Sequence, residues 1–334
     1  MKTVFGLGIA TLVGLAGAYA FSPRDIPPLQ ETRIPVQRMQ INGIAQTRAG
    51  LVAAGELGHI LVSDDGGKRW SDARLAIDRQ ALITRLVFAD DANGVAVGHE
   101  GWILRTGDGG ATWSEAAFDG SDGEPLMDAA RLPSGTWLAV GAFGRVLRSA
   151  DDGRSWERHE IPNLGDRHLN GIAASADRKH WLIVGESGLA MRSSDGGEHW
   201  TTVQPFYDGS LYGAISVDAS TWIAYGMRGS VFRSTDGGAN WARLNVPAPV
   251  SFYSAALAPD GELLLAGQGG IVLASRNGGA SFSQIGKDDQ ENLTGILVRS
   301  DGSVLLGSDG GLRARALAAP TAPVSSLPTR QEAS

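Results

Sequence analysis

The sequence predicts an all-β protein, a β-propeller of seven blades, and three observations carry that prediction. A G-x-x-G turn begins at Gly55, Gly98, Gly141, Gly185, Gly226, Gly267 and Gly307, at separations of 43, 43, 44, 41, 41 and 40 residues. A steady period of about 40–45 residues marks propeller blades or solenoid units. Six of the seven turns are followed by a second motif, S/T-x-D-x-G-x-x-W. Its acidic position holds Asp65, Asp108, Asp151, Asp195 and Asp236, with Asn277 in the sixth copy, and its aromatic is Trp70, Trp113, Trp156, Trp200, Trp241 and Phe282. The segments between turns, such as Trp181 to Val184 and Glu262 to Leu265, are apolar without strict alternation. That pattern suits sheets buried on both faces, as stacked blades are.

The elements follow in chain order. Lys2, an apolar run from Val4 to Gly17 and Ala18-Tyr19-Ala20 read as the three parts of a signal peptide, residues 1–20, cleaved before Phe21. Residues 21–30 read as a linker and residues 31–317 as the propeller. Thr32 to Gln37 belongs to no repeat, whereas the seventh repeat, ending near Leu317, lacks the second motif. The expected solution is closure: the N-terminal strand supplies the outer strand of the last blade, which leaves no gap. In the third copy the four strands are expected over Asp128 to Leu132, Thr136 to Val140, from Arg145, and from Trp156. Residues 318–334, with Pro320, Pro323 and Pro328 among small and polar residues, read as a disordered tail.

The S/T-x-D-x-G-x-x-W turn has a structural task. The hydroxyl and carboxylate accept hydrogen bonds from N–H groups of the same turn, Gly supplies a positive φ, and the Trp folds back beneath. This is the Asp-box, or BNR repeat, shared by sialidases, sortilin-type receptors and several glycoside hydrolases. Its acidic residues are expected to be structural rather than catalytic.

The longer unit Gly98-His99-Glu100-Gly101-Trp102-Ile103-Leu104-Arg105-Thr106-Gly107-Asp108-Gly109-Gly110 with Trp113 resembles the repeat of the photosystem II stability and assembly factors. It recurs at Gly185 to Trp200 and Gly226 to Trp241. The resemblance implies a seven-bladed, non-enzymatic assembly factor of photosynthesis that holds membrane-protein subunits. A bacterial member is expected, in the periplasm, or in the thylakoid lumen of a photosynthetic host. A monomer is expected, with no membrane insertion after the signal is cleaved.

Charge and composition exclude several classes. The net charge of −7 argues against nucleic acid or an anionic membrane as partner. Cys is absent, so no disulfide, thiol nucleophile or zinc-thiolate site exists. The six His are scattered, with no i,i+4 pair, and neither metal nor cofactor is expected.

Two candidate sites remain. Arg105, Arg148, Arg192 and Arg233 share one position, just before the Ser or Thr of the Asp-box, and Arg313 lies near it in the seventh repeat. Equivalent positions share radius and height, so these cations form an arc. Either each caps its own turn, or together they dock carboxylates and carbonyls of a partner protein. The second candidate is the channel mouth, with Asn42, Asn170, Tyr212 and Tyr253 near the starts of the innermost strands.

An exo-acting, sialidase-like glycoside hydrolase is the alternative. Thr32-Arg33-Ile34-Pro35 partly matches the F/Y-R-I-P motif of sialidases, but nothing downstream singles out a nucleophile pair. A second alternative is an accessory subunit of an envelope transport complex.

Overall fold

The computed structural model describes residues 12–19, 34–120, 123–287 and 291–315, and the chain divides into Met1–Ile34 and Pro35–Ser334. In the first unit residues 12–19 are helical. No helix among the described residues is long and apolar enough to cross a membrane. The expected cleavage site after Tyr19-Ala20, the linker, Thr32-Arg33 and the tail lie outside the described residues.

The second unit is a ring of sheets, antiparallel except where Arg74–Leu75 adds in parallel to the outer strand Thr112–Ala117 of blade 2. Its inner strands are Ile41–Thr47, Ile83–Phe88, Leu126–Arg131, Leu169–Ala174, Leu211–Ser216, Phe252–Leu257 and Leu293–Val298. Each touches the next, and the seventh touches the first. The sequence therefore forms the seven blades it predicts. In the third blade the strands run Leu126–Arg131, Trp137–Gly141, Val146–Ser149 and Glu157–Arg158, close to the expected bounds. Every residue of the second strand is buried in six blades, from Gly94–Gly98 to Val304–Ser308, because those strands are covered by a neighbouring blade on both faces.

The G-x-x-G glycines earn their place by proximity. Gly141 and Gly185 have φ of −163° and −167°, extended backbone open to any residue. A Cβ there would lie 2.2 Å from the Pro125 carbonyl oxygen or 2.1 Å from that of His168. Left-handed backbone falls two residues later, at Leu57, Glu100, Phe143, Ser187 and Arg228, with φ between 49° and 59°.

The seventh blade departs from the expected pattern. Leu293 pairs with Ser308, whereas the corresponding residues of other blades pair with the first Gly of G-x-x-G. Ser308 thus takes the glycine's place, and a tight hairpin through Asp309 and Gly310 replaces the three-residue turn. Its sheet has three strands, Leu293–Val298, Val304–Ser308 and Gly311–Arg315.

Closure also differs in detail from the expected outer strand. Val36 to Met39 form a turn, with the Arg38 N–H donating to the Pro35 carbonyl at 2.8 Å. The Leu312 N–H, on the free edge of the last strand, donates to the Val36 carbonyl at 3.0 Å. The N-terminal segment reaches the seventh blade through that bond, and the inner strands of blades 1 and 7 complete the ring.

The Asp-boxes fold as their chemistry requires, except that the Trp200 indole of blade 4 finds no partner among the described residues. In blade 3 the Ser149 hydroxyl donates to Asp151 Oδ1 at 2.8 Å, and the same oxygen accepts the N–H groups of Arg154 and Ser155 at 3.0 and 2.9 Å. The Trp156 indole donates to the Gly153 carbonyl at 3.1 Å. Of the box tryptophans, Trp113 is fully buried and the others half-buried. These bonds hold the carboxylates below their usual range. In Asp236 the Asn240 backbone N–H and side-chain amide bring the pKa to about 2, and Asp65, Asp151 and Asp195 shift the same way.

A depressed carboxylate stabilises the fold above its unfolded pKa of about 3.9, and that stabilisation is lost as pH falls through the folded value. Thermal melts followed by tryptophan fluorescence should show a plateau at neutral pH and a decline from about pH 4 downward. Asp236→Asn should make that decline shallower, and an unchanged profile would contradict the assignment.

Candidate functional site

The third strands begin at the G-x-x-G turns and end at the Asp-boxes, so the arginine arc and the channel mouth lie at opposite ends of the blades. Arg105, Arg148, Arg192 and Arg233 are each the penultimate residue of a third strand, opposite Val95, Leu138, Leu182 and Ile223. They occupy one equivalent place on four successive blades.

Their partners separate them. Arg105 donates through Nε to the Asp152 carbonyl and through Nη2 to Asp152 Oδ2, both at 2.7 Å. Arg233 donates through Nε to the Gly278 carbonyl at 3.0 Å. Both reach the Asp-box of the following blade, which corrects the expectation that an arginine in a capping role would cap its own turn. Arg148 and Arg192 are partly exposed, and their guanidinium groups make no hydrogen bond or ion pair with any described residue. The sequence supplies the reason. The box position held by Asp152 in blade 3 is Gly196 in blade 4 and Gly237 in blade 5, so neither arginine meets a carboxylate there. Arg313 is set apart from the arc, ion-paired with Glu291 in the last blade.

At the other end, all seven inner strands carry a bulge at their second residue, where pairing with the second strand skips a position. The bulged residue turns toward the channel. Asn42, Asn170, Tyr212 and Tyr253 hold this position and line one cavity, as the sequence suggests. Asn42 and Asn170 donate to the carbonyls of Ile83 and Leu211 in the next blade, both at 2.8 Å, and Thr84 does the same to Leu126 at 2.6 Å. Thr294 donates to Ile41, across the joint between the last blade and the first. These side chains clasp blade to blade. Tyr212 and Tyr253 instead lie ring to ring, centroids 5.5 Å apart.

Three residues of this cavity go unnoticed in the sequence. Immediately after the bulge five blades carry Gly43, Gly171, Gly213, Ser254 and Gly295, but blades 2 and 3 carry Arg85 and Asp128. Arg85 Nε lies 3.3 Å from Asp128 Oδ1. The carboxylate also accepts the N–H of Ala129 at 2.9 Å and that of Ile172, in blade 4, at 3.1 Å. Burial raises the Asp128 pKa against the pull of Arg85, and Asp128 in turn raises that of Arg85. Tyr225 is the third, 5% exposed, its phenol pushed up to about 12 by burial. The signal was present: a charge in two adjacent repeats where the others have a small residue. Among the described residues no group of three His, Asp or Glu is placed to hold a metal.

Residues 73–165 match the model of a family described as photosynthesis system II assembly factor YCF48. Among solved structures, YCF48 bound to D1 peptide is 20% identical with a TM-score of 0.66, covering 90% of this chain and 100% of that one. YCF48 from Cyanidioschyzon merolae is 14% identical with a TM-score of 0.65, covering 85% and 96%. Streptogramin B lyase is 14% identical with a TM-score of 0.70, covering 86% and 97%. No curated protein matches the sequence. The chain is thus like the photosystem II assembly factors in its repeat and in its fold, as its sequence predicts. The same fold also carries an enzyme, so the fold by itself does not assign an activity.

Proposed function

We propose that this protein is a non-enzymatic assembly scaffold, exported to the periplasm or an equivalent lumen. It docks membrane-protein or exported subunits on its Asp-box face. The observation that carries the reading is the pair Arg148 and Arg192, equivalent cations on adjacent blades with no partner among the described residues, between two others spent on holding turns. A guanidinium in that state offers its full fork to a carboxylate or to paired carbonyls. A neighbour of the same fold is described as bound to a peptide, D1, which supports a polypeptide as the ligand class. The non-enzymatic reading is supported by the Asp-box carboxylates, which are occupied by N–H and hydroxyl groups of their own turns.

The test is capture of partners from cross-linked membranes of the native host, identified by mass spectrometry. The double variant Arg148→Glu/Arg192→Glu should lose at least about tenfold in affinity, the effect of about 1.4 kcal/mol. Arg313→Glu, away from the arc, should lose less. Equal capture by wild type and the double variant would refute docking on this face.

A further inference from the structure

Besides the groups that clasp the blades together, the channel mouth gathers Tyr212, Tyr225 and Tyr253 around the Arg85–Asp128 pair. We propose that this cavity binds a neutral pyranose sugar, one ring in size. The proposal is independent of the docking reading, because the arginine arc lies at the other end of the blades.

The site is built rather than left over. Tyr225 stands where the other blades have Ala54, Val97, Val140, Val184, Ala266 and Gly307. Its hydroxyl lies over Gly213, where a Cβ would come within 2.3 Å of it. The side chain is 95% buried, and that hydroxyl has no hydrogen-bond partner among the described residues. A hydroxyl at the wall of a cavity, with no protein partner, is available to a ligand that enters there. In the same cavity wall, Arg85 and Asp128 present N–H donors and carboxylate oxygens side by side. Vicinal hydroxyls, each both donor and acceptor, can straddle such a pair.

The charge is already balanced. A carboxylate ligand would have to compete with Asp128 for Arg85, and a cation with Arg85 for Asp128, so a neutral ligand is favoured. The tilted rings of Tyr212 and Tyr253 supply an apolar platform for the C–H face of a sugar ring. The cavity, about 360 Å³, lies within the range of small-ligand sites. Asp128 is the only carboxylate among the described residues that line it, so the pair of carboxylates that glycoside hydrolysis uses is missing. Binding without hydrolysis is expected.

The test uses the full chain with glucose, galactose and N-acetylglucosamine as probes, and acetate and methylammonium as charged controls. Binding is read by ligand-observed saturation-transfer NMR and by titration of tyrosine fluorescence. At least one sugar should bind at millimolar concentration, with neither control competing. Tyr225→Phe keeps the ring and the fold and removes one hydrogen bond, so it should weaken binding about 3–10-fold. Arg85→Met should weaken it at least as much. Absence of binding by all three sugars would overturn the proposal. So would affinity indifferent to Tyr225→Phe, or displacement of the sugar by acetate.

Discussion

Asp128→Ala is expected to destabilise the propeller by about 3 kcal/mol, a large effect for one side chain. Asp128 is 7% exposed and accepts from three sources on three blades: Arg85 of blade 2, Ala129 of its own strand and Ile172 of blade 4. Alanine leaves a guanidinium without its counter-charge and two backbone N–H groups without acceptors. The Arg85 side chain is 41% exposed and can turn toward channel water, which keeps the loss near the lower end of that for broken buried pairs. Urea denaturation followed by tryptophan fluorescence measures it. The double variant Arg85→Met/Asp128→Leu separates the two parts of the cost. It removes the orphaned charge but still strands Ile172, so it should recover only part of the loss. Full recovery would mean that the backbone bridge contributes nothing.

Gly185→Ala should cost as much, about 3 kcal/mol, at the upper end of overpacking penalties, because a methyl group at 2.1 Å from the His168 carbonyl oxygen must push two strands of one blade apart. The control is Gly269→Ala. Gly269 has φ of 64° and nothing within 4 Å of the place its methyl group would take, so alanine there costs only the left-handed backbone, about 1–2 kcal/mol. Five other blades already hold a non-glycine residue at that turn position, from Leu57 to Arg228. The two glycines lie two residues apart in their motifs, yet chemical denaturation should rank the first well above the second. A reversed order would place the constraint in backbone conformation rather than in close approach.

Much of the fold was legible because a blade is a local object. The turn glycines, the Asp-boxes and the apolar second strands each lie within about 15 residues of one another, and repetition made their spacing readable. What crosses between blades was harder to see. Arg105 and Arg233 reach turns 47 and 45 residues ahead, and nothing in the local motif says which turn an arginine will hold. The channel residues Asn42, Asn170, Tyr212 and Tyr253 were legible because the first residues of inner strands border the axis. Arg85, Asp128 and Tyr225 were not, since the repeat draws the eye to what recurs and these three are where it fails to recur. The seventh turn reads one residue early in the sequence, at Gly307, because Ser308 holds the place that glycine marks elsewhere.

The clasps along the channel wall bear on how such a ring could have grown. The bond from Thr294 to Ile41 is of the same kind as that from Thr84 to Leu126, so the joint between last and first blades asks for no dedicated lock. A gene duplication that inserted one unit would bring both halves of the fastening with it, a polar side chain on one edge and a carbonyl on the other. Lineages with this clasp should therefore tolerate a change in blade number better than propellers sealed by one shared sheet. Asymmetry such as Arg85, Asp128 and Tyr225 could then have been written into copies that began alike.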